Sequence, residues 1–220
     1  MSFYADDGTH RRTAAKTLAT VLHLLKGTPF VYQGEEIGMT NANFDRIDQY
    51  RDLETLNHFE EQIAQGVSPD VFLAGANRNS RDHSRTPMQW SAAPHGGFTT
   101  GTPWIEANPN FVDINVERDM NDPDSVFAHY RRLIALRSES DLVVFGETVQ
   151  LFADDPAIIA CERRLGDTRL LVIANLTAQM QERGLPDDVV VGAGECIVST
   201  HEPLESVPRH VMLRPFESIA

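Results

Sequence analysis

One run of the chain, KGTPFVYQGEEIGMTN at positions 26–41, limits its architecture more than any other. Ahead of it, Ala14, Leu18, Val21, Leu22 and Leu25 recur at three- and four-residue steps and predict an amphipathic helix over 13–26. Gly27 suits a helix end, and Pro29 cannot continue the helix. Phe30, Val31 and Tyr32 then have the apolar, β-favouring character of a short buried strand, predicted over 28–33. Gln33, Gly34, Glu35, Glu36 and Gly38 follow as a polar, glycine-rich loop at its C-terminal end. A helix, a stop, a buried strand and a polar loop make the repeating unit of α/β barrels, whose active sites are built where the strands end.

A second helical pattern carries Ile47, Tyr50, Leu53, Leu56, Phe59 and Ile63 and stops at Gly66. Between Gly75 and Asn110, Pro, Gly, Asn and Thr dominate, which predicts a long irregular loop. Trp90, Phe98 and Trp104 within it serve either as pins for the loop or as flat faces on which a ligand stacks. Asp122 as N-cap, Pro123 in the first turn and Asp124 at the positive dipole end predict another helix start. Val126, Phe127, Tyr130, Leu133, Ile134 and Arg137 carry that helix to about Ser138.

From Asp141 the pattern changes to short β-type runs at 148–152, 157–163, 168–175, 189–191, 196–200 and 211–216, with Leu165-Gly166-Asp167 as a hairpin connection. Six such runs predict an antiparallel β-sandwich. The expected fold is therefore α/β followed by all-β. Residues 1–140 form the first part, including a long loop at 67–121, and residues 141–220 form the second.

The length, 220 residues, falls short of a complete (β/α)₈ barrel of roughly 250 residues plus an accessory domain. A net charge of −13 argues against nucleic acid and anionic membrane surfaces as partners and is compatible with a neutral sugar. No apolar run approaches a membrane span, and no charged segment followed by an apolar stretch opens the chain, so a cytoplasmic protein is expected. Cys161 and Cys196 lie outside any CxxC spacing and read as reduced thiols. His23, His58, His83 and His95 lack HxH or HxxxH spacing, so neither a metal nor a cofactor is expected. Ser84 beside His83 has no GxSxG context, and no glycine loop ending in Lys-Ser/Thr is present.

The segment SRDHSRTPMQW at 80–90 holds the strongest candidates. The guanidinium of Arg85 is permanently charged and presents a rigid fork of donors suited to sugar hydroxyls and carboxylates. Asp82 pairs either with a neighbouring arginine or with a sugar hydroxyl. Alternatively, Arg81, Asp82 and Arg85 only pin the loop through ion pairs. Glu35 and Glu36 make a poor acid/base pair, because consecutive strand residues point in opposite directions.

Both segments, 26–41 and 80–90, resemble the α-amylase superfamily of glycoside hydrolases, glycoside hydrolase family 13, in its oligo-1,6-glucosidase and α-glucosidase branch. The resemblance extends from about Phe3 to about Phe216. It implies that 13–26 is the seventh barrel helix, 28–33 the eighth strand and 122–138 the final helix, in an incomplete barrel followed by the C-terminal sandwich. It also implies substrate-binding roles for Arg85 and Asp82, substrate-side positioning by Gln33, and a hydrogen bond from Glu36 supporting the pocket wall. The family's nucleophilic Asp, acid/base Glu and stabilising Asp lie on earlier strands. The last of these belongs to an Asn-His-Asp motif that occurs nowhere in the chain. The expectation is a C-terminal glucosidase fragment, without catalytic residues and inactive alone, whose ligand is an α-linked glucose oligosaccharide. It would dock an N-terminal barrel polypeptide or self-associate through 12–66. The rival reading is a free-standing carbohydrate-binding or scaffold module.

Overall fold

The computed structural model describes residues 2, 5, 8–192 and 194–220. In chain order the helices are α1 (Arg11–Leu24), α2 (Leu53–Ala64), α3 (Pro69–Asn79), α4 (Val116–Met120), α5 (Val126–Glu139) and α6 (Asp141–Phe145). The strands are β1 (Glu147–Leu151), β2 (Ile158–Leu165), β3 (Thr168–Asn175), β4 (Gln181–Gly184), β5 (His210–Leu213) and β6 (Ser218–Ile219). Among the described residues, those of 1–4 and 32–127 form one compact unit, and those of 5–31 and 128–220 form the other.

The first unit is helical and loop-rich. Asp52 caps α2 by accepting from the Thr55 backbone N–H at 3.3 Å and from its hydroxyl at 3.1 Å. At the other end Gly66, at φ +89°, closes the helix: Val67 N–H returns to the Gln62 carbonyl and Gly66 N–H to that of Ile63. The single helix expected over 47–66 is thus broken. Ile47–Gln49 is a 3₁₀ turn, Tyr50 is extended, and α2 begins only at Leu53. The cause is tertiary, because the N–H groups of Arg51 and Asp52 are drawn to the Asp82 carboxylate. Helix α3 lies where a loop was expected. Ser68 caps it and Pro69 occupies its first turn, a local start signal masked by the glycine- and asparagine-rich sequence that follows. Ala42, Phe44, Tyr50, Ala76 and Ile105 form its core, with Leu56, Phe72 and Leu73 packed alongside.

The remaining loop is held by side-chain amides rather than by a ladder. Gln89, fully buried, donates to the Ile114 carbonyl at 2.6 Å and to Asn110 Oδ1 at 3.0 Å. Asn108 donates to the Thr40 and Asn41 carbonyls, and Asn110 to the Thr40 hydroxyl. Such bonds satisfy a buried irregular backbone that could not otherwise persist.

In the second unit α1 forms as expected, but with a different face inward. Thr17, Thr20 and His23 are buried, whereas Leu22 and Leu25 stay more than a third exposed. The polar groups are accommodated by hydrogen bonds: the Thr20 hydroxyl meets His129 Nε2 at 2.8 Å, and His23 Nδ1 meets the Ala19 carbonyl at 2.9 Å. Beyond Gly27, at φ +121°, the eighth strand expected over 28–33 is absent as a strand: no ladder pairs it among the described residues, and Phe30 is 83% exposed. A strand exists only through hydrogen bonds to a neighbour, and apolar character alone does not supply one. Helix α5 starts at Val126 rather than at Pro123. Asp122 instead closes a turn ahead of it, accepting the Asp124 N–H on its carboxylate and the Ser125 N–H on its carbonyl.

Strands β1, β2, β3 and β6 form one antiparallel sheet in that order, and β4 and β5 form a second. Leu165 pairs with Thr168 across Gly166-Asp167, a two-residue hairpin in which Gly166 takes φ +56°. Leu151, Ile158, Ile173, Leu185, Val211 and Leu213, from both sheets and the loop between β4 and β5, share one apolar cluster. No strand forms over 189–191, an isolated bridge joining the next residue, Gly192, to Val207, and the strand expected over 196–200 reduces to the bridge of Ser199 with Ile219. Val189 and Val198 are nonetheless buried, so the apolar pattern marked burial and not pairing. Strand β4, QERG, has no apolar side chain to betray it.

Asp155 ties the two sheets' connections together. It accepts the N–H groups of Ala157 and Ile158 at 2.9 and 3.0 Å and meets Arg183 Nε at 2.6 Å. The hydrogen bond from Arg183, followed by the two backbone donors, holds its carboxyl down at about 2. Because the folded value lies below the unfolded one, this stabilisation is complete above about pH 4 and lost as pH falls toward 2. In urea melts the stability gap between wild type and Asp155→Asn is expected to narrow between pH 4 and pH 2. A gap that stays constant over that range contradicts the assignment.

Candidate functional site

The segment 80–90 sits in the first unit as a 3₁₀ turn over Arg81–Arg85, entered through Ser80, whose hydroxyl accepts the Asp82 N–H at 3.3 Å. Asp82 points inward and is fully buried. One oxygen accepts the backbone N–H of Arg51 at 2.6 Å and that of Asp52 at 2.9 Å; the other lies 3.4 Å from Arg85 Nη1. Asp52, a residue the sequence reading did not single out, approaches the same Nη1 at 3.5 Å and Arg81 Nε at 3.6 Å. Arg81 also pairs with Glu54. Arg85 is thereby gripped at one nitrogen, while its Nε and Nη2 have no acceptor among the described residues and its side chain is 38% exposed.

Burial, followed by the Asp82 charge, pushes the Tyr50 phenol up to about 12, so it is a neutral donor; its hydroxyl donates to Asn77 Oδ1 at 2.8 Å. His83 is buried against Phe44 and Tyr50, with Nε2 3.0 Å from the Ala76 carbonyl and Nδ1 without a partner among the described residues. Burial pushes its pKa below 6.5, outweighing the Ala76 carbonyl and Asp82, which favour the charged ring. A folded state that binds fewer protons than the unfolded one loses stability as pH falls through about 6.5 toward the depressed value. NMR titration is expected to place the ring's midpoint below 6.5, and His83→Gln to remove part of the loss of stability between pH 7 and 5. An unchanged pH dependence in that variant, or a midpoint above 6.5, contradicts this.

Within this unit the Tyr32 hydroxyl of segment 26–41 donates to the Ser84 carbonyl of segment 80–90 at 3.0 Å. Beside it opens a cavity of about 420 Å³, lined in part by Gln33, Thr40, Asn41, His83, Ser84 and Thr86. Gln33 is exposed on its wall. Glu36 folds back on its own turn, accepting the Gly34 N–H at 2.7 Å, while Glu35 accepts the Tyr32 N–H at 3.3 Å. Gly34 and Gly38, both at positive φ, bracket the 3₁₀ turn over Glu35–Ile37, so these acids sit on a tight turn and not at a strand end. The structure brings Arg85 and Asp82 together, while Gln33 lies on the cavity wall and Glu36, which does not line the cavity, bonds to its own turn. Arg85 is not among the residues lining the cavity.

Trp90, Phe98 and Trp104 are each half or more exposed, and the amides of Gln89, Asn108 and Asn110 hold the loop's backbone. In the second unit a cavity of about 310 Å³ is lined mainly by apolar side chains, including Leu171, Val190, Ile197 and Val207. Both cysteines are free. Among the described residues no three His, Cys, Asp or Glu converge on a metal position, and no helix is long and apolar enough to cross a membrane.

A family model described as alpha amylase, catalytic domain, matches residues 1–146. An oligo-1,6-glucosidase of Halalkalibacterium halodurans is 45% identical over 219 residues, which cover 99% of this chain and 39% of that protein. A trehalose-6-phosphate hydrolase of Bacillus subtilis is 42% identical over 221 residues, covering 100% and 39% respectively. The crystal structure of Bacillus licheniformis trehalose-6-phosphate hydrolase superposes with a TM-score of 0.93 at 41% identity, covering 98% of this chain and 39% of that one. The chain thus spans about two fifths of the length of the relatives it matches.

Proposed function

The chain belongs to the α-amylase family of glycoside hydrolases, glycoside hydrolase family 13, and from that premise we propose that it is the substrate-side, C-terminal portion of a retaining α-glucosidase acting on terminal α-glucosidic bonds of short oligosaccharides. The observation that carries this reading is Arg85, held from behind by Asp82 and Asp52, with two donor nitrogens that meet no acceptor among the described residues. Arg85 hydrogen-bonds a glucose hydroxyl and orients a catalytic carboxylate supplied from outside this chain. Asp82, buried as it is, acts by aiming Arg85 rather than by touching sugar. Gln33 contacts substrate from the cavity wall, and Glu36 keeps the turn beneath it closed.

In the complete enzyme a carboxylate attacks the anomeric carbon while an acid protonates the departing oxygen, and water then releases the glucosyl group with retention. Residues 1–140 complete a (β/α)₈ barrel begun by an N-terminal polypeptide, and 141–220 form a sandwich beyond it. Exposed Phe30, Val31 and Tyr32, apolar side chains without a ladder partner among the described residues, support a missing neighbour along 28–33. The free thiols support a reducing, cytoplasmic setting.

The test is turnover of isomaltose and of a chromogenic α-glucoside by the chain alone and after mixing with an N-terminal barrel polypeptide from a relative. No hydrolysis is expected alone. Activity is expected on mixing, and Arg85→Ala should remove it. Robust hydrolysis by the isolated chain that disappears in Arg85→Ala overturns the proposal.

A further inference from the structure

We propose that Asp52 is a positioning residue for Arg85, and that together with Asp82 it cancels the guanidinium's charge so that the site accepts uncharged sugar hydroxyls and discriminates against phosphate. The inference rests on the sugar-binding reading of Arg85 and sharpens its substrate class. The two carboxylates lie 3.5 and 3.4 Å from the same Nη1, and both are largely withdrawn from water. Arg81, which shares Asp52 with Arg85, is also matched by Glu54. Counted once each, the carboxylates of Asp52, Asp82 and Glu54 against the guanidiniums of Arg81 and Arg85 leave the immediate surroundings of Nε and Nη2 without positive excess. These nitrogens remain good donors, but a phosphate approaching them also meets Asp52 and Asp82.

The wider field has the same sign. Across 32–127 carboxylates outnumber arginines more than two to one, and lysine is absent. Arg51, whose Nε and Nη1 donate to the carbonyls of Trp104, Asp48 and Tyr50, has its guanidinium held by backbone oxygens rather than turned to the open nitrogens of Arg85. Relatives of similar identity include both an oligo-1,6-glucosidase and a trehalose-6-phosphate hydrolase, so family membership alone does not decide between neutral and phosphorylated ligands. The charge arrangement around Arg85 favours the neutral one.

The test follows the Arg85 Nε–H resonance of the full chain by NMR, assigned with Arg85→Lys, during titration with glucose and with glucose 6-phosphate. Glucose is expected to shift it, and glucose 6-phosphate to require about tenfold or more higher concentration. Asp52→Asn, which still caps α2 because Asn caps as well as Asp, is expected to move the unliganded Arg85 signal and shrink that discrimination, with Asp52→Glu restoring both. Equal or tighter response to glucose 6-phosphate in wild type overturns the charge inference while leaving Arg85 as a sugar contact. A signal unmoved by either ligand overturns the sugar reading and the inference together. Asp52→Asn that changes neither the free signal nor the discrimination removes the role of Asp52.

Discussion

Asp82→Ala is expected to destabilise the first unit by about 3–5 kcal/mol, because the variant strands three groups at once. The backbone N–H groups of Arg51 and Asp52 lose the charged acceptor that the fully buried Asp82 supplies, and Arg85 loses the nearer of its two carboxylates. A hydrogen bond to a charged acceptor contributes about 1.5–3 kcal/mol, and breaking a buried network by removing one member falls in the upper range of single-substitution effects. Asp82→Asn keeps the volume and one carbonyl oxygen, and its cost is expected to be about half as large. Urea melts with constant m-value measure both. Hydrogen exchange adds a local reading: the Arg51 and Asp52 amides should exchange faster in Asp82→Ala than in wild type beyond what the lower global stability accounts for. A cost below about 1 kcal/mol with both amides still protected would show that the carboxylate does not hold this loop.

Arg163→Ala is expected to cost about 4 kcal/mol, this time in the second unit. The side chain is fully buried on β2, donating to the Leu24 carbonyl at 2.6 Å and the Gly146 carbonyl at 2.8 Å. These are the last-turn carbonyl of α1 and the carbonyl just past α6, groups that a helix leaves unsatisfied and whose partial negative charge a cation complements. Arg137 serves the same helix end through the carbonyls of His23, Leu25 and Gly27. Among the described residues no carboxylate faces Arg163; burial, with Arg137 adding to it, pushes its pKa down from the usual value against the Cys161 thiol, which favours the charge.

Arg163→Met therefore separates two contributions. It fills the volume and removes an uncompensated buried charge, but leaves both carbonyls bare, so a loss of about 2 kcal/mol is expected, smaller than for Ala. If Met proves as costly as Ala, the hydrogen bonds alone set the effect. If both variants are neutral, the guanidinium does not anchor α1 to β2.

Much of the second unit was legible because its signals are local. The β2–β3 hairpin needs only alternating apolar residues and a Gly at the turn, and the predicted run at 168–175 matches β3 in full. The end of α2 at Gly66 was equally plain, because a left-handed residue there needs no distant partner. Expectations failed where pairing or charge was decided by residues far along the chain. The run at 28–33 has strand composition but no neighbour among the described residues, and β4 has a neighbour but no strand composition.

The candidate site divides along the same line. From the sequence came the arginine loop, with Arg85 and Asp82 on it, and the polar turn carrying Gln33 and Glu36. Side-chain chemistry and its resemblance to a family sufficed for that much. Which way each group faces came only with the folded chain. Asp82 faces inward and takes the N–H groups of Arg51 and Asp52, some thirty residues earlier, which breaks the start of α2, and Asp52 joins Arg85 through the same junction. Helical period, caps and turns act over a few residues and are written in the chain itself. The placement of buried charge depends on desolvation and on partners that only the tertiary structure brings within reach.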